Sequence, residues 1–490
     1  MSDILSPDVL LPAVVLVPLL GAAVAVASAR AAAATAVITA LLTAAIAVLL
    51  GRAVVAGGAV THAAGAWGAP LGIEMHADGV AVLLLVVTAA IGICITVYAT
   101  SYFRPIFEDE EDRGVRFFWP LWLLIWAALN AIFVATDLFN LYVCLELLTL
   151  PAVAMVALDG DREAVAAATR YLLLSIAGSL LFLLGVAIVY SGSGTLALAA
   201  IRESGMDARA AATALTLMTT GLAVKAALVP LHVWLPPAHA GAPAPGSAVL
   251  SGLVVKAAFI IVLRLWTEAF PGSLLAPGAD LLGVLGAIAV LWGSLLALRQ
   301  QRVKLVIAYS TVAQVGYLFL VFPLLLEAPG PAWSGTMYHL LSHALAKAAL
   351  FLAAGAMLRA MGSDRLDDIA GVGQKLPMTF AAFGIAGLNL AGMPPSGGFI
   401  GKWLLLTAAL SSGQWWWAVV IAIGSLLAAA YVLLVLRAAF LQPRARPLRH
   451  QPPWQLTAPA LALALLSVVL GVWAEPPLLL LGATAPDLAP

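Results

Sequence analysis

The sequence predicts an all-α polytopic membrane protein with about fourteen transmembrane helices, and three observations carry that prediction. Of the 490 residues, 63% are hydrophobic and only 10% charged, with a mean hydropathy of +1.05, well outside the range of soluble domains. Apolar runs close to the roughly 20 residues needed to cross a bilayer recur along the whole chain. Two of those runs are interrupted by proline and glycine, which predicts how the helices are arranged.

In order, the runs fall at about 8–28, 32–50, 79–100, 117–136, 137–158, 169–190, 210–239 (broken) and 246–268. They continue at about 279–298, 303–325, 335–360, 377–410 (broken), 416–438 and 455–473. The first lacks a preceding basic region and a small-residue cleavage site, so it reads as a retained transmembrane helix and not a signal peptide. No stretch is long and polar enough for a separate soluble domain, and residues 1–490 read as one membrane domain. The charged segment FEDEEDRGVR at 107–116 reads as a solvated connection. Acidic and basic residues balance at 24 each, which excludes the basic surface a nucleic-acid partner requires. Cys94 and Cys144 lie in apolar runs and read as buried free thiols. With no cysteine cluster and no dinucleotide loop, the chain is expected to carry no cofactor of its own. Whether it counts as part of an enzyme depends on its partners.

If the helices alternate, basic residues outside them divide between the two sides roughly four to one, which places the richer side in the cytoplasm and both termini outside. The first break lies in VKAALVPLHVWLPPAHAGAPAPGSAVLSGLVVK, where five prolines from Pro230 to Pro245 lie between Lys225 and Lys256. Proline removes a backbone donor and clashes with the carbonyl four residues back. At membrane depth such a break survives only where protein or a water-lined cavity satisfies the freed groups. The second break is in LNLAGMPPSGGFIGKW, with Lys402 just beyond Pro394 and Pro395. Paired interrupted helices point to a transporter built from repeats. An offset of about five helices reverses topology, so the repeats are expected to be inverted, over about 115–268 and 279–438.

Charged residues inside apolar runs cost at least about 2.5–3.5 kcal/mol each, so they are functional candidates. Asp137 can cap its helix, and nine residues at 1.5 Å each then put Glu146 roughly 13 Å deep. Beside Lys225 such a carboxylate can stay charged; the bland reading is an ion pair that fixes helix register. Lys225 and Lys256 read as too far from helix ends to snorkel. A lysine whose partner alternates can load and release a proton. His339, His343 and Lys347 recur every fourth residue on one helical face. That spacing suits either a proton relay or a metal, but the flanking lysine repels a cation, which favours the relay. His232 and His239 are weaker candidates that can simply stabilise the broken helix. Lys304 is either a topology determinant or a residue that opens the relay to the cytoplasm. Asp159, Asp161, Arg162, Glu163, Asp364, Arg365, Asp367 and Asp368 read as solvated loop charges.

Taken together, LYVCLELLTLPA, the first broken segment, RVKLVIAYSTVAQVGY, YHLLSHALAKAALFLAAG and GMPPSGGFIGKW resemble segments of a known family: the antiporter-like membrane subunits shared by respiratory complex I and multisubunit cation/proton (Mrp-type) antiporters. The resemblance pairs Glu146 with Lys225, makes Lys256 the connecting lysine and assigns His339, His343 and Lys347 to a central relay. It puts Lys402 at the terminal position, where some paralogues have glutamate. Length, Lys402 and GAWGAPLGIEMHADGVAVLLLV are most similar to the D-type subunits of Mrp antiporters. The implied function is a proton-translocating subunit of a multisubunit Na⁺/H⁺ antiporter in the bacterial cytoplasmic (inner) membrane, assembled with other membrane subunits. The alternative is a proton-pumping membrane subunit of a complex I-like NADH:quinone oxidoreductase or a membrane-bound hydrogenase.

Overall fold

The computed structural model describes residues 6–68, 72–103, 113–270, 272–441 and 447–486. Among them, 12 helices are long and apolar enough to cross a membrane, and they take up the unbroken apolar runs one for one. The two broken runs become pairs of shorter helices, Ala208–Lys225 with Leu235–Gly241 and Pro377–Ala391 with Gly397–Ser411. Reaching fourteen crossings requires counting each pair as one. Most of the segment at 107–116 lies outside the described residues.

Several helices outrun their apolar cores because polar residues cap them. Asp161 accepts from Ala164 N at 2.7 Å, so its helix begins at Arg162 and runs to Ser193. Gly194 then takes φ 70°, a left-handed conformation that glycine adopts without a Cβ penalty and that ends the helix. Asp78, Asp137 and Asp207 cap their helices in the same way. The expectation of an all-α chain misses one element. Val60–Ala63 and Glu74–Ala77 form a two-stranded antiparallel hairpin. Thr136 Oγ1 donates to Glu74 O at 2.9 Å and ties the hairpin to the helix ends beside it. Each strand is only four residues long, and Val60–Ala63 does not alternate apolar with polar residues, so the pair carries no clear strand signal.

Pro329–Met361 is buried along the whole of its membrane-crossing stretch, and Ala244–Ala269 and Val303–Leu325 nearly so. These three form the interior. The outer helices expose apolar side chains such as Leu20, Leu173, Leu180 and Leu426, as a lipid-facing surface requires. The interior nevertheless holds five buried lysines, Lys225, Lys256, Lys304, Lys347 and Lys402. One loop expectation is corrected. Asp364 is not solvated but buried, with Arg302 Nε 2.9 Å from its carboxylate and Val303 N donating to its backbone carbonyl. That contact anchors the start of an interior helix, a role invisible in a short charged run.

Candidate proton pathway

Helix Ala208–Lys225 stops at Lys225 itself, and Ala227 follows at φ 56°. The sequence reading puts this lysine away from any helix end; in the structure it lies on the last turn, where the helix dipole favours a cation. The break is internally satisfied: Trp234 Nε1 donates to Val224 O at 2.8 Å, and its ring stacks on Tyr171 with centroids 4.1 Å apart. Lys225 Nζ donates to Thr149 Oγ1 at 2.7 Å and lies 3.3 Å from Glu146 Oε1. The Ser179 hydroxyl also donates to Glu146. Close backbone approach sets this up, since a Cβ on Gly178 would lie 2.6 Å from Gly221 O. Gly221 is one turn before Lys225 on the same face. The pair is asymmetric, with side-chain exposure of 6% for Lys225 and 26% for Glu146. Glu146 shares its outward stripe with the exposed Phe139, Val143 and Leu150.

The Lys225 helix packs against the segment that carries Lys256. Just before that lysine, Leu250–Val254 winds as a π-helix. The wider turn loosens the usual carbonyl pairing, and Ser251 O accepts from Lys256 Nζ. The Ser251 hydroxyl meets Thr311 Oγ1 at 2.8 Å on the neighbouring interior helix.

On Pro329–Met361 the His339 and His343 rings stack, with centroids 5.6 Å apart and planes 10° apart. His339 Nε2 is 3.3 Å from Gln314 O, and no protein group among the described residues hydrogen-bonds either nitrogen of His343. Lys347 Nζ donates to Ile307 O at 2.8 Å and Ser310 Oγ at 2.5 Å. His343 lies within electrostatic reach of Lys256, His339, Lys347 and Lys402, and Lys347 within reach of Lys256. Five of the expected residues thus form one buried cluster. Among the described residues, no three His, Cys, Asp or Glu side chains are placed to hold a metal ion.

Lys402 Nζ donates to Leu390 O at 2.7 Å and Ser425 Oγ at 3.2 Å, and sits 4.3 Å from the centre of the Tyr317 ring. Leu390 lies in the last turn of the first half of the broken helix, so here too a lysine sits at a helix carboxyl end. Asn389 bridges the break: its Oδ1 accepts from Gly398 N at 2.8 Å and its Nδ2 donates to Ser342 O at 3.3 Å. Lys304 Nζ donates to Ala242 O at 2.6 Å and Ala240 O at 3.3 Å, at the carboxyl end of Leu235–Gly241. His239 stacks on Phe351, with centroids 4.6 Å apart. His232 is in the turn of the first break, against the Pro230 backbone.

Among the described residues, four of the five lysines are therefore held by backbone carbonyls and hydroxyls, and only Lys225 by a carboxylate. Hydrogen bonds from a charged donor contribute about 1.5–3 kcal/mol each, enough to hold an ammonium in place while leaving no fixed counter-ion. Sequence reasoning missed the acceptors Thr149, Ser251 and Ser310, the donor Ser179 and the bridging Gln314 and Asn389. The last two were detectable as lone amides in apolar runs.

Proline-broken helices around buried lysines and histidines define a class of polytopic, antiporter-like membrane subunit. Comparison with known proteins identifies it further. The family described as NADH:quinone oxidoreductase/Mrp antiporter, transmembrane, matches residues 135–428, and this chain belongs to it. It is 35% identical to the N subunit of NADH-quinone oxidoreductase of Desulforudis audaxviator over 88% of each chain. It is 28% identical to the D-type Na⁺/H⁺ antiporter subunit of Alkalihalophilus pseudofirmus, over 84% of this chain and 83% of that one. Its fold matches a chain of the Mrp complex from a Dietzia species with a TM-score of 0.89, 28% identity, and coverage of 98% of this chain and 97% of the other.

Proposed function

We propose that this chain is a proton-translocating subunit of a multisubunit Na⁺/H⁺ antiporter in a bacterial cytoplasmic membrane, with both termini outside. The protons pass along Glu146, Lys225, Lys256, His343 with His339, Lys347 and Lys402, and Lys304 links the relay to the cytoplasm. His232 serves the first break. The single observation that carries this reading is the run of buried lysines held by neutral acceptors around both broken helices. A structural scaffold needs ion pairs, and of these five lysines only Lys225 has one among the described residues. The two breaks, each with a lysine at a helix carboxyl end, support two inverted units at about 115–268 and 279–438. The partial exposure of Glu146 among outward apolar residues supports a neighbouring membrane subunit, because a carboxylate facing lipid is costly.

Na⁺-driven proton movement in everted vesicles containing the complete complex tests the reading with Lys225→Ala. Loss of exchange per assembled complex supports it, and normal exchange overturns it. The second reading, a proton-pumping subunit of a complex I-like oxidoreductase, is favoured by the higher identity to the Desulforudis chain. Co-purification decides between them: redox subunits bound to this chain replace the antiporter reading while leaving the same pathway residues in place.

A further inference from the structure

The helices Ala276–Leu298 and Trp415–Leu441 pack side by side in parallel register. A Cβ on Gly283 would lie 3.1 Å from the Trp417 ring, and one on Gly424 would press on Val290. Carried to the end of the first helix, that register sets Arg299 beside Leu433 and one turn short of Arg437. At this end a cleft of about 530 Å³ opens, lined by Leu298 on one helix and by Ala430, Leu433, Leu434, Arg437 and Phe440 on the other. Ala430 lies about 10 Å deeper than Arg437 along the helix axis, so the cleft reaches through much of the roughly 15 Å of hydrocarbon in one leaflet. One wall is fixed by packing: the Phe440 ring meets Phe380 edge-on, with centroids 5.6 Å apart, and a Cβ on Gly373 would lie 2.5 Å from it.

The cleft is apolar, but its outer end is basic. Arg299 and Arg437 are both exposed, and among the described residues neither guanidinium has an ion pair. The neighbouring arginines at this end are matched: Arg302 Nε is 2.9 Å from Asp364, and Arg365 lies 3.7 Å from Asp367. Two unmatched cations therefore stand where a lipid-facing apolar cleft meets the membrane surface. Arginine stems can lie along apolar surface there while their heads reach the interface. A zwitterionic headgroup leaves that charge in place, and an anionic one neutralises it.

We propose that this cleft is a binding site for an anionic phospholipid, with acyl chains along Leu433 and Leu434 and the phosphate between Arg299 and Arg437. Basic pockets between transmembrane helices recognise anionic headgroups by this chemistry. Bound there, the lipid bridges the two helices, the second of which supplies the Ser425 hydroxyl that accepts from Lys402. The site contains none of the pathway residues, so its test is independent of the proposed function.

Leu426 is exposed and lies one turn beyond Ala430, at the deep end of the cleft. The complete complex, carrying Cys94→Ala, Cys144→Ala and Leu426→Cys in this chain, is labelled with a bimane fluorophore and reconstituted in phosphatidylcholine nanodiscs containing phosphatidylglycerol. The signal of the same complex without Leu426→Cys is subtracted. In parallel series, equal mole fractions of phosphatidylglycerol or phosphatidylcholine carry bromine on their acyl chains, and quenching is measured. An arginine near the surface favours an anionic headgroup about fivefold, so the pair is expected to give phosphatidylglycerol about a 25-fold preference. Arg299→Gln/Arg437→Gln is expected to remove that preference. Equal quenching by the two lipids, or a preference that survives the double variant, overturns the proposal. Quenching by neither shows that protein covers the cleft and overturns it as well. Should the double variant fail to assemble, Arg437→Gln alone is expected to lower the preference about fivefold, and an unchanged preference overturns the site.

Discussion

Lys225 Nζ is 3.3 Å from Glu146 Oε1 and 2.7 Å from Thr149 Oγ1, so the one carboxylate ion pair of a buried lysine among the described residues joins two helices across 79 positions of sequence. Glu146→Gln removes the charge while keeping the shape, and leaves the buried Lys225 ammonium with neutral acceptors and no counter-charge. Breaking a buried pair from one side costs about 3–5 kcal/mol. Exchange is expected to be lost, with less complex in the membrane. Glu146→Gln combined with Lys225→Gln is expected to assemble better than either single variant. Quantifying purified complex across the four members of this cycle checks the pairing, and strictly additive losses would refute it.

Lys347 is held by Ile307 O and Ser310 Oγ, both neutral. Lys347→Ala is expected to abolish exchange. Lys347→Arg is expected to fail as well, because a guanidinium keeps its proton under these conditions. Wild-type Na⁺-driven proton movement by the arginine variant would show that fixed positive charge suffices there.

At Lys402 the acceptor is Leu390 O. Lys402→Ala leaves that carbonyl with only Gln314 Nε2, at 3.2 Å, and is expected to stop exchange. Lys402→Glu is expected to keep part of it, since a protonated carboxyl can donate to Leu390 O and release the same proton. Equal rates and pH optima for wild type and both variants would remove Lys402 from the path.

Gly401 brings the second half-helix onto the relay: a Cβ there would sit 2.6 Å from His339 N and 2.8 Å from His339 Cα. Both are backbone atoms, so the helices must part. Overpacking of this kind costs about 1–3 kcal/mol, and Gly401→Ala is expected to lower the thermal stability of the complex and slow exchange together. Gly384, whose Cβ meets nothing within 4 Å, provides the control substitution. Matching melting temperatures for the two variants would argue against this close approach.

Much of the molecule is legible in the sequence because membranes impose simple rules. Length and hydropathy mark each continuous helix, and proline runs mark where helices break. Charge at membrane depth singles out Glu146 and the lysines. What stays hidden is whatever depends on backbone acceptors. Nothing in LSGLVVK announces a π-helical turn, so the Ser251 carbonyl that receives Lys256 cannot be anticipated. Lys225 looks remote from a helix end because prolines five and more residues later do not fix where the last turn closes. Asp364 looks solvated because a short polar run carries no record of the interior helix packed against it.

The reliance of the buried lysines on backbone carbonyls limits how much charge the interior can store. Carbonyl dipoles are fixed and cannot be neutralised, so they hold an ammonium without cancelling its field. Two unit charges about 10 Å apart still repel by about 1.7 kcal/mol at an effective dielectric near 20, and Lys256, Lys347 and Lys402 all act on His343. Each added proton therefore raises the energy of those already present. Such an interior behaves as a conductor of low capacitance: a charge arriving at one end favours the departure of another at the far end, and the row does not fill.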